Sequence, residues 1–586
     1  MKNQKELLSG NEAIARGAYE SGVNFAAGYP GTPSSEILEN IVNYPGIYAE
    51  WSVNEKVALE SAAGASWAGA RCIVTMKHVG LNVASDPLMT LPYVGVKGGL
   101  VIVVADDPSM HSSQNEQDSR NYAKFAKVPL LEPSDSQEAK DFVKIGIEIS
   151  EKYDIPVILR STTRISHSKG IVKLGTREEN PHKIHFEKNP QKYVTVPAYA
   201  RVMRVKLEEK IKKLKKLTNR IGVNKIILNN KKLGIITGSI SYQYAREVFP
   251  DASFLKLGMS YPFPDELIRK FASLVKKLVV IEELDPILEE HIRSLGIKVI
   301  GKEVIPDIGE LNVDIIEEAK LKLSGKKIVK KKVLKKLPDL PKRPPVLCPG
   351  CPHRGIFYAL KKCNVSVVGD IGCYSLATYP PLESLDSILC MGAGISACHG
   401  MDKVGYKNVV GVLGDSTFFH SGMTSLLDIA YNKGASTIII LDNKTTAMTG
   451  HQHHPGTGKT IKDEETVHIS IGEIARAFGI KRVREVNPYN VEETYKVLKE
   501  EISSDEPSVI ITTEPCILNV RGVEVEPCYI DADLCVGCGA CLKVGCPALE
   551  KVLITDKKFN VQINTVLCTG CEICCQVCKV NAIKKE

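Results

Sequence analysis

The sequence lacks any apolar run long enough to cross a membrane. No stretch of about 18 or more consecutive apolar residues occurs in the chain, and a spanning helix needs roughly that length. The first ten residues, MKNQKELLSG, do not show the basic and apolar pattern of a secretory signal peptide. We therefore expect a cytoplasmic protein that does not associate with membranes.

The chain also lacks a strong excess of charge of either sign. Its 76 lysines and arginines stand against 68 aspartates and glutamates, a net charge of +8 over 586 residues. Lysines are concentrated at 206–216 and 326–336, and the first of these runs has the apolar spacing of an amphipathic helix with a solvated face. Nucleic-acid-binding proteins carry a basic stripe through their motifs instead. We therefore expect no nucleic-acid partner.

The 18 cysteines are not evenly spaced, as they would be in a small disulfide-stapled scaffold. Half of them lie between residues 535 and 578. Disulfide frameworks are typical of short secreted chains, whereas cysteine runs in a large cytosolic chain are typical of metal sites. The cysteine pattern therefore predicts metal clusters.

The length predicts three or four domains, each large enough for its own core. Residues 1–195 alternate strand and helix signals, as in a parallel, doubly wound α/β domain. A second α/β unit follows at 196–325, then a lysine- and proline-rich linker at 326–345. A third α/β unit spans 346–526, and a cysteine-rich segment spans 527–586.

Two polar strand ends carry the first candidate site. One predicted strand ends in Gly414-Asp415, and after a helix a second strand is followed by Asp442-Asn443. A strand–helix–strand crossover of this length brings both ends to one edge of a parallel sheet, where open α/β sheets bind ligands. Carboxylate and amide oxygens at that edge suit Mg²⁺ carrying a diphosphate. The alternative is that both dipeptides merely form turns.

This layout resembles the metal-diphosphate motif of thiamine-diphosphate enzymes, in which Gly-Asp-Gly or Gly-Asp-Ser is followed at this distance by asparagine. The resemblance places Gly414, Asp415 and Ser416 in the cofactor-binding loop. It implies that Asp415, the Asn443 side chain and the backbone oxygen of Thr445 are the metal ligands.

Glu55 is the candidate catalytic acid. Thiamine chemistry needs one carboxylic acid hydrogen-bonded to the pyrimidine N1′, and such an acid works best where apolar surroundings raise its pKa. Glu55 opens a predicted helix that is rich in alanine and glycine. An acid at that position also suits the helix dipole, which is the alternative explanation, and Glu60 is a second acid in the same segment.

The pair Cys348 and Cys351, in the segment CPGCPH, predicts metal or redox chemistry. A Cys-x₂-Cys pair needs two more ligands for a four-thiolate site. Cys373 and Cys516 are candidates because each follows a predicted strand and could reach the same sheet edge. We call these four cysteines the proximal thiols. The alternative is that they are small buried hydrophobes, as cysteines outside motifs often are.

The last 60 residues carry the most specific pattern in the chain. The cysteines read Cys535-x₂-Cys538-x₂-Cys541-x₄-Cys546-Pro547 and then Cys568-x₂-Cys571-x₂-Cys574-x₃-Cys578. This pattern resembles the bacterial ferredoxin run, in which two [4Fe–4S] clusters are held and the fourth cysteine of each run binds the other cluster. The resemblance implies one cluster on Cys535, Cys538, Cys541 and Cys578 (the cluster-one thiols) and another on Cys568, Cys571, Cys574 and Cys546 (the cluster-two thiols).

The terminal pattern departs from the usual ferredoxin run at two points. Four residues instead of three precede Cys546, and Lys579 stands where proline is usual. Cys575 is a ninth cysteine with no assigned role. A zinc ribbon is the alternative, but eight ordered cysteines in two triplet-plus-one sets favour iron–sulfur clusters.

Together these motifs resemble the 2-oxoacid:ferredoxin oxidoreductases, and among them the large subunits of the members that oxidise indolepyruvate. The resemblance covers essentially the whole chain. The matching segments are GYPGTPSSE at 28–36, residues 55–80 ending in TMKHVG, DDPSMHSSQNEQDSR at 106–120, CPGCPH, GDS…DN…TGHQ and the terminal cysteine runs.

The resemblance assigns roles to several of these residues. Alignment on TMKHVG places Glu55 where the family has its activating glutamate, which favours it over Glu60. Thr32 falls where the family has a substrate-facing threonine, and the proximal thiols match positions that hold a [4Fe–4S] cluster beside the thiamine. The first electron transfer needs an acceptor close to the thiamine, and we expect the segment after Pro527 to lie too far away to provide it. This is the reason to expect a third cluster.

The implied fold class is a multidomain α/β, thiamine-diphosphate-binding fold. It comprises a pyrimidine-binding domain at 1–195, a transketolase C-terminal-like α/β domain at 196–325 and, after the linker, a diphosphate-binding domain at 346–526. A two-cluster ferredoxin domain completes it at 527–586. Both cofactor-binding domains are expected to be doubly wound parallel sheets.

The implied activity is oxidative decarboxylation of an arylpyruvate, indolepyruvate first, with coenzyme A, giving the acyl-CoA and CO₂ while [4Fe–4S] clusters pass electrons to ferredoxin. The implied cofactors are thiamine diphosphate, Mg²⁺, two terminal clusters and a third near the thiamine. The implied partners are ferredoxin and a smaller beta subunit carrying the gamma-type domain, in an αβ or α₂β₂ assembly. Oxidation of another 2-oxoacid, a non-oxidative thiamine-dependent decarboxylase and a plain electron-transfer subunit are the alternatives.

Overall fold

A computed structural model describes residues 4–326, 344–520, 526–555 and 559–585. The chain forms two compact units, Met1–Lys335 and Lys336–Glu586. Most of the expected linker, residues 327–343, lies outside the described residues. Each unit is described by itself below.

The first unit contains strands β1 to β13. They are β1 (Lys5–Ser9), β2 (Phe25–Gly28), β3 (Tyr48–Trp51), β4 (Cys72–Lys77), β5 (Leu100–Asp106), β6 (Leu130–Leu131), β7 (Val157–Thr162), β8 (Lys169–Lys173), β9 (Lys225–Ile227), β10 (Asn230–Gly238), β11 (Ala252–Leu257), β12 (Met259–Tyr261) and β13 (Lys277–Ile281).

The helices of the first unit alternate with these strands over most of its length. They are α1 (Gly10–Glu20), α2 (Ser35–Ile41), α3 (Glu55–Trp67), α4 (His78–Val83), α5 (Ser85–Val94), α6 (Arg120–Ala126), α7 (Ser136–Tyr153), α8 (Thr163–His167), α9 (Pro190–Tyr193), α10 (Pro197–Thr218), α11 (Ser241–Val248), α12 (Asp265–Leu274), α13 (Ile287–Ser294) and α14 (Val313–Leu323).

A seven-stranded sheet is the centre of the first unit, in the order β12-β6-β7-β5-β4-β2-β3. All neighbouring pairs are parallel except the edge pair β12 and β6. Strands β5 and β7 are buried along their whole length, as expected where helices cover both faces of a parallel sheet. This order places the carboxyl ends of β2, β4 and β5 side by side.

A second, four-stranded sheet in the first unit has the order β13-β10-β11-β9. Its core strands β13, β10 and β11 are parallel, and β9 closes one edge in the antiparallel direction. Separate hydrophobic clusters cover its two faces. Strand β12 directly follows β11 but pairs with β6 of the larger sheet, which joins the two sheets within the unit.

The second unit contains strands β14 to β23 and helices α15 to α21. The strands are β14 (Ser366–Gly369), β15 (Ser387–Ile388), β16 (Val409–Gly414), β17 (Thr437–Asp442), β18 (Arg482–Val486), β19 (Ser508–Thr513), β20 (Cys528–Ile530), β21 (Leu549–Leu553), β22 (Phe559–Ile563) and β23 (Ile583–Lys585). The helices are α15 (His353–Cys363), α16 (Ala393–Lys403), α17 (Asp415–Thr417), α18 (Met423–Tyr431), α19 (Ile471–Ala477), α20 (Val491–Ile502) and α21 (Ile573–Gln576).

A six-stranded, wholly parallel sheet organises the second unit, in the order β15-β14-β16-β17-β19-β18. The central strands β16 and β17 are apolar and buried, and hydrophobic clusters lie on both faces of the sheet. Because β16 and β17 are neighbours, the two polar strand ends predicted from the sequence meet at one edge.

The cysteine-rich residues 526–585 form two antiparallel strand pairs, β20 with β23 and β21 with β22. We call these residues the ferredoxin-type segment. Their small core includes Cys528, Cys541, Val561 and Ile573 together with Val491 of helix α20. The segment therefore packs directly against the sheet domain of the second unit.

Helices long and apolar enough to span a membrane are absent from the part of the chain that the structure describes.

Candidate functional site

Three of the sequence motifs meet at the carboxyl ends of β2, β4 and β5. The loop after β2 is held by its serines, since the Ser34 hydroxyl donates to the Gly31 carbonyl at 2.7 Å and the Gly31 N–H donates to the Ser35 hydroxyl at 2.8 Å. The Thr32 carbonyl accepts from the Ser112 hydroxyl at 3.3 Å. Thr32 therefore lies where the loop after β2 meets the loop that follows β5.

Glu55 is the first residue of α3 and is only 5% exposed. The side chain of Asn54 caps the helix by accepting from the Val57 N–H at 2.9 Å. A methyl group at Gly80 would lie 2.5 Å from Glu55 Oε1, so the carboxylate packs directly against the backbone of α4. The glycine of TMKHVG thus makes room for the predicted catalytic acid.

Glu60 differs from Glu55 in its surroundings. Its side chain is 47% exposed and forms an ion pair with Lys56 on the same helix. Exposed pairs of this kind are solvated and contribute little. Of the two acids that the sequence leaves open, only Glu55 has the buried position that thiamine chemistry requires.

Lys77 was not singled out from the sequence, although it is the lysine of TMKHVG. Its Nζ donates to the Ser112 carbonyl at 3.0 Å, and its side-chain carbons pack against Gly31. Burial lowers the pKa of Lys77 to about 8, and the nearby carboxylates of Asp107 and Glu55 oppose that shift. A partly buried cation therefore lies at the same strand ends as Thr32 and Glu55.

Asp107 organises the loop that follows β5. One carboxylate oxygen accepts from the Ser112 N–H at 2.8 Å and the Ser113 hydroxyl at 2.7 Å, and the other accepts from the Thr163 hydroxyl at 2.7 Å. Burial alone would raise the pKa of Asp107, but these hydrogen bonds and Lys77 lower it below its ordinary value. The second acid of the motif DDPSMHSSQNEQDSR therefore fixes its own loop.

Arg120 ends the same motif and is buried in a network of acids. It donates to both oxygens of Asp118, at distances down to 2.6 Å, and to Glu282 Oε2 at 2.5 Å. Its Nη2 also donates to the Glu283 carbonyl at 2.8 Å. Glu282 lies 162 residues after Arg120 in the sequence, so the two meet only in the folded chain.

Asp415 and Asn443 follow the neighbouring strands β16 and β17, in which Gly414 pairs with Leu441. The Asp415 carboxylate accepts from the Ser416 N–H at 2.8 Å, and the Asn443 side-chain oxygen accepts from the Thr445 N–H at 3.2 Å. Asp415, Asn443 and Thr445 are all buried. The structure therefore brings the oxygen atoms of the predicted metal-diphosphate motif to one sheet edge.

Two further polar side chains, to which the sequence assigned no role, lie beside Asp415. His454 Nε2 lies 3.1 Å from Asp415 Oδ2, and the carboxylate of Asp442 adjoins that of Asp415. Burial alone would raise the pKa of Asp415, but the charge and hydrogen bond of His454 lower it; burial and the charge of Asp415 raise the pKa of Asp442. Two adjacent buried carboxylates beside an amide oxygen form a donor set that fits a hard divalent cation.

The four proximal thiols occupy loops around the same sheet. Cys348 and Cys351 precede α15, Cys373 follows β14, and Cys516 follows β19. Burial raises the pKa of Cys373 to about 11, with further contributions from Cys516 and Cys348. Burial likewise raises the pKa of Cys351 to about 12, with contributions from Cys348 and Cys373. The four thiols are therefore close enough to act on one another.

One hydrogen bond links the proximal thiols to the metal-diphosphate motif. The N–H of Cys516 donates to the carbonyl of Asn443 at 2.9 Å. The loop that carries Cys516 is thus tied to the loop that carries the predicted metal ligand.

The terminal cysteines also gather as two groups. Burial raises the pKa of Cys541, and the thiols of Cys578 and Cys535 contribute to that shift. A separate cavity is lined by the cluster-two thiols, Cys546, Cys568, Cys571 and Cys574. Cys578 of the second run thus lies near cysteines of the first, and Cys546 of the first run lies near cysteines of the second, as the crossed pattern predicts.

Cys528 is a cysteine that the sequence did not place in either group. The ligand atoms of Cys528, Cys574 and Cys575 lie within 4.8 Å of one another, and the Cys528 N–H donates to Cys568 Sγ at 3.4 Å. Cys528 also lines the cavity of the cluster-two thiols. It lies outside the Cys-x₂-Cys spacing, so no local signal could have identified it.

Comparison with known proteins agrees with this geometry. Residues 16–217 match the family described as "Pyruvate flavodoxin/ferredoxin oxidoreductase, thiamine diP-bdg", and residues 370–512 match "Thiamine pyrophosphate enzyme, C-terminal TPP binding domain". The "Indolepyruvate oxidoreductase subunit IorA" of Methanothermobacter thermautotrophicus is 41% identical over 100% of this chain and 98% of its own length. The protein of the same name from Archaeoglobus fulgidus is 42% identical with the same coverage. The chain belongs to the IorA family.

A solved 2-oxoglutarate:ferredoxin oxidoreductase from Magnetococcus marinus, with 2-oxoglutarate, coenzyme A and succinyl-CoA bound, also matches part of this IorA-family chain. The match has 17% sequence identity and a TM-score of 0.46, and it covers 54% of this chain and 65% of that one.

Membership of the IorA family confirms several predictions. The chain is an oxidoreductase subunit with the predicted α/β, thiamine-diphosphate-binding fold, and its cysteine-rich end fits iron–sulfur binding. It is of the thiamine-diphosphate-dependent 2-oxoacid oxidoreductase type.

Proposed function

We propose that this chain, with a smaller partner subunit, oxidatively decarboxylates arylpyruvates, with indolepyruvate as the first candidate. One 2-oxoacid and one coenzyme A yield the acyl-CoA, CO₂ and a proton, and two electrons pass singly to ferredoxin. The observation that carries the oxidative part is the hydrogen bond between Cys516 and Asn443, which ties the proposed cluster ligands to the diphosphate motif. The choice of arylpyruvate rests on the names of the full-length relatives.

The residues at the sheet edge of the second unit fit thiamine diphosphate and Mg²⁺. Asp415, the Asn443 side chain and the Thr445 carbonyl would hold the cation, and Gly414 and Ser416 belong to the same loop. His454 and Ser416 keep the Asp415 carboxylate ionised and oriented. When bound, thiamine diphosphate supplies the electron sink that permits loss of CO₂ from the 2-oxoacid.

Glu55 would hold a proton at the pyrimidine ring. Its carboxyl group is buried, fixed at the first turn of α3 and confined by Gly80, so it can keep one hydrogen bond without competition from water. Thr32 would face the 2-oxoacid from the loop after β2, beside the partly buried cation of Lys77.

Three cluster sites would carry the electrons onward. The proximal thiols would hold a [4Fe–4S] cluster beside the diphosphate motif, and the cluster-two and cluster-one thiols would hold two more in the ferredoxin-type segment. Thiolate sulfur is the ligand type that [4Fe–4S] clusters require. A smaller beta subunit with the gamma-type domain completes the assembly in this proposal.

The first prediction tests the proposed function on the complex with its partner subunit, purified without oxygen. We expect bound thiamine diphosphate, about twelve iron atoms per chain for three four-iron clusters, and coenzyme-A-dependent ferredoxin reduction that is fastest with arylpyruvates. Thiamine without iron would indicate a non-oxidative decarboxylase. Iron without thiamine would indicate an electron-transfer subunit, and a preference for 2-oxoglutarate or pyruvate would overturn the substrate assignment.

The second prediction tests the proximal cluster through its iron content. Cys373→Ser should lower the iron from about twelve to about eight atoms per chain, because one four-iron cluster loses a ligand. Cys363→Ser is the matched control, since Cys363 is half-buried at the end of α15 and belongs to none of the three thiol groups. Equal iron contents in the two variants would contradict the assignment of the proximal thiols.

A further inference from the structure

The segment between Cys541 and Cys546, which is one residue longer than in the usual ferredoxin run, contacts helix α15. The backbone between Cys541 and Cys546 presents two carbonyl groups to Arg354 of helix α15. Arg354 Nη1 donates to the Gly545 carbonyl at 2.5 Å and lies 3.3 Å from the Val544 carbonyl. The departure from the usual ferredoxin spacing therefore coincides with a binding site for an arginine.

Arg354 also holds the loop that carries the first two proximal thiols. Its Nε donates to the Cys348 carbonyl at 3.0 Å, and its Nη2 donates to the Leu347 carbonyl. One side chain thus fixes the Cys348 loop on one side and the Cys546 loop on the other. A guanidinium with five donors in a rigid plane suits this bridging role better than a lysine does.

The guanidinium of Arg354 is buried and bonded to carbonyl oxygens. The residue is 2% exposed, and the hydrogen-bond partners described for it are backbone carbonyls. It lines the cavity enclosed by the cluster-two thiols, and its charge interacts with Cys351 and Cys348 as well as with Cys546 and Cys571. Arginine stays protonated in proteins, so a positive charge lies between the two thiol groups.

A second contact brings the same two groups together. Gly350, between Cys348 and Cys351, has a φ of +66°, and a methyl group there would lie 1.9 Å from the Thr569 hydroxyl. Thr569 follows Cys568 directly. A side chain at position 350 is therefore excluded both by the left-handed backbone and by the loop that carries two cluster-two thiols.

Tyr489, which belongs to the sheet domain, stabilises this contact through two hydrogen bonds. Its hydroxyl donates to the Gly350 carbonyl at 2.7 Å, and the Gln576 side chain donates to the Tyr489 carbonyl at 2.7 Å. The Cys348–Cys351 loop and the ferredoxin-type segment are therefore held together by several independent contacts.

We propose that Arg354 is a positioning residue for electron transfer, which fixes the separation between the proximal and cluster-two sites and makes both easier to reduce. This inference rests on the proposed function, because it takes both thiol groups as cluster ligands. A four-thiolate cluster is negatively charged and becomes more so on reduction. A fixed positive charge in a low-dielectric interior stabilises the reduced form of each cluster and raises both reduction potentials.

The test uses the full complex, loaded with its clusters, and compares Arg354→Met and Arg354→Lys with the parent. The reduction potentials are measured by redox titration followed by electron paramagnetic resonance. Reduction of the terminal clusters by 2-oxoacid is measured by rapid mixing. Arg484→Met is the control, since Arg484 is a half-exposed arginine of the same unit that pairs with acids of α20.

We expect Arg354→Met to shift both potentials to more negative values and to slow reduction of the terminal clusters by about 10- to 100-fold, the range typical of lost outer-shell partners. Arg354→Lys keeps the positive charge but loses the hydrogen bonds that join the Cys348 loop to the Cys546 loop. Its reduction potentials should therefore stay near those of the parent, while electron transfer to the terminal clusters is slowed. Parent-like potentials and rates in a fully loaded Arg354→Met would overturn the proposal. If Arg354→Met does not load iron, the test rests on Arg354→Lys. A parent-like rate of terminal-cluster reduction in Arg354→Lys would then overturn the proposal.

The parent protein separates this inference from the proposed function. A parent without iron at the proximal thiols would refute the proposed function before any variant is made. A parent with three reducible clusters, together with an Arg354→Met variant that matches it, would refute the role of Arg354 alone.

Discussion

Glu55→Gln should leave thiamine diphosphate bound but lower turnover by about 10²- to 10⁴-fold, the usual contribution of a positioned acid or base. The amide has nearly the same shape as the carboxyl group, so the packing against Gly80 is kept. It cannot supply the proton at the pyrimidine N1′, however, so exchange of the thiazolium C2 proton should also be lost. Proton exchange by NMR and bound cofactor by chromatography measure these two effects separately.

Glu60→Gln is the matched control for this substitution, because it changes an acid five residues along the same helix. Glu60 is half exposed and paired with Lys56, so its replacement should leave both turnover and proton exchange close to those of the parent. A normal Glu55→Gln together with an inactive Glu60→Gln would reverse the assignment of the catalytic acid.

Asp415→Ala should abolish binding of thiamine diphosphate at ordinary cofactor concentrations, with affinity at least about 100-fold weaker. Loss of an outer-shell partner alone costs about 10- to 100-fold, and Asp415 is a proposed direct ligand of Mg²⁺. The substitution also leaves His454 and Asp442 without their shared neighbour. Calorimetric titration with thiamine diphosphate, with and without Mg²⁺, measures the loss.

Asp463→Ala is the control for that substitution, since Asp463 lies in the same unit, is largely exposed and pairs with His453. It should bind cofactor like the parent. Unchanged cofactor affinity in Asp415→Ala would show that the Gly-Asp-Ser segment is a turn and not the metal-diphosphate motif. Addition of Asp442→Ala tests whether the second carboxylate contributes to the same site.

The features that could be predicted from the sequence are those encoded within about 30 consecutive residues. The strand predicted before Asn443 is β17, and the spacing between Asp415 and Asn443 sufficed to place both at one sheet edge. A crossover of that length has few topological solutions. The cysteine runs are likewise local, because their short spacings reflect the size of the cluster that they bind.

The features that could not be predicted depend on residues far apart in the chain. The proximity of Arg120 to Glu282 and of Arg354 to Gly545 arises only when separate elements pack together. Cys528 is the clearest example, because in the sequence it is an isolated cysteine seven residues before the first run.

The contact between Gly350 and Thr569 has a consequence for how the protein is made. About 220 residues separate these two positions, and at about 5 to 20 residues per second a ribosome needs roughly 10 to 45 s to add them. Throughout that interval Cys348 and Cys351 have been made, but the loop that contains Thr569 and packs against them has not. The iron–sulfur site proposed there can therefore be covered only after residue 569 has been made, long after its first two thiols.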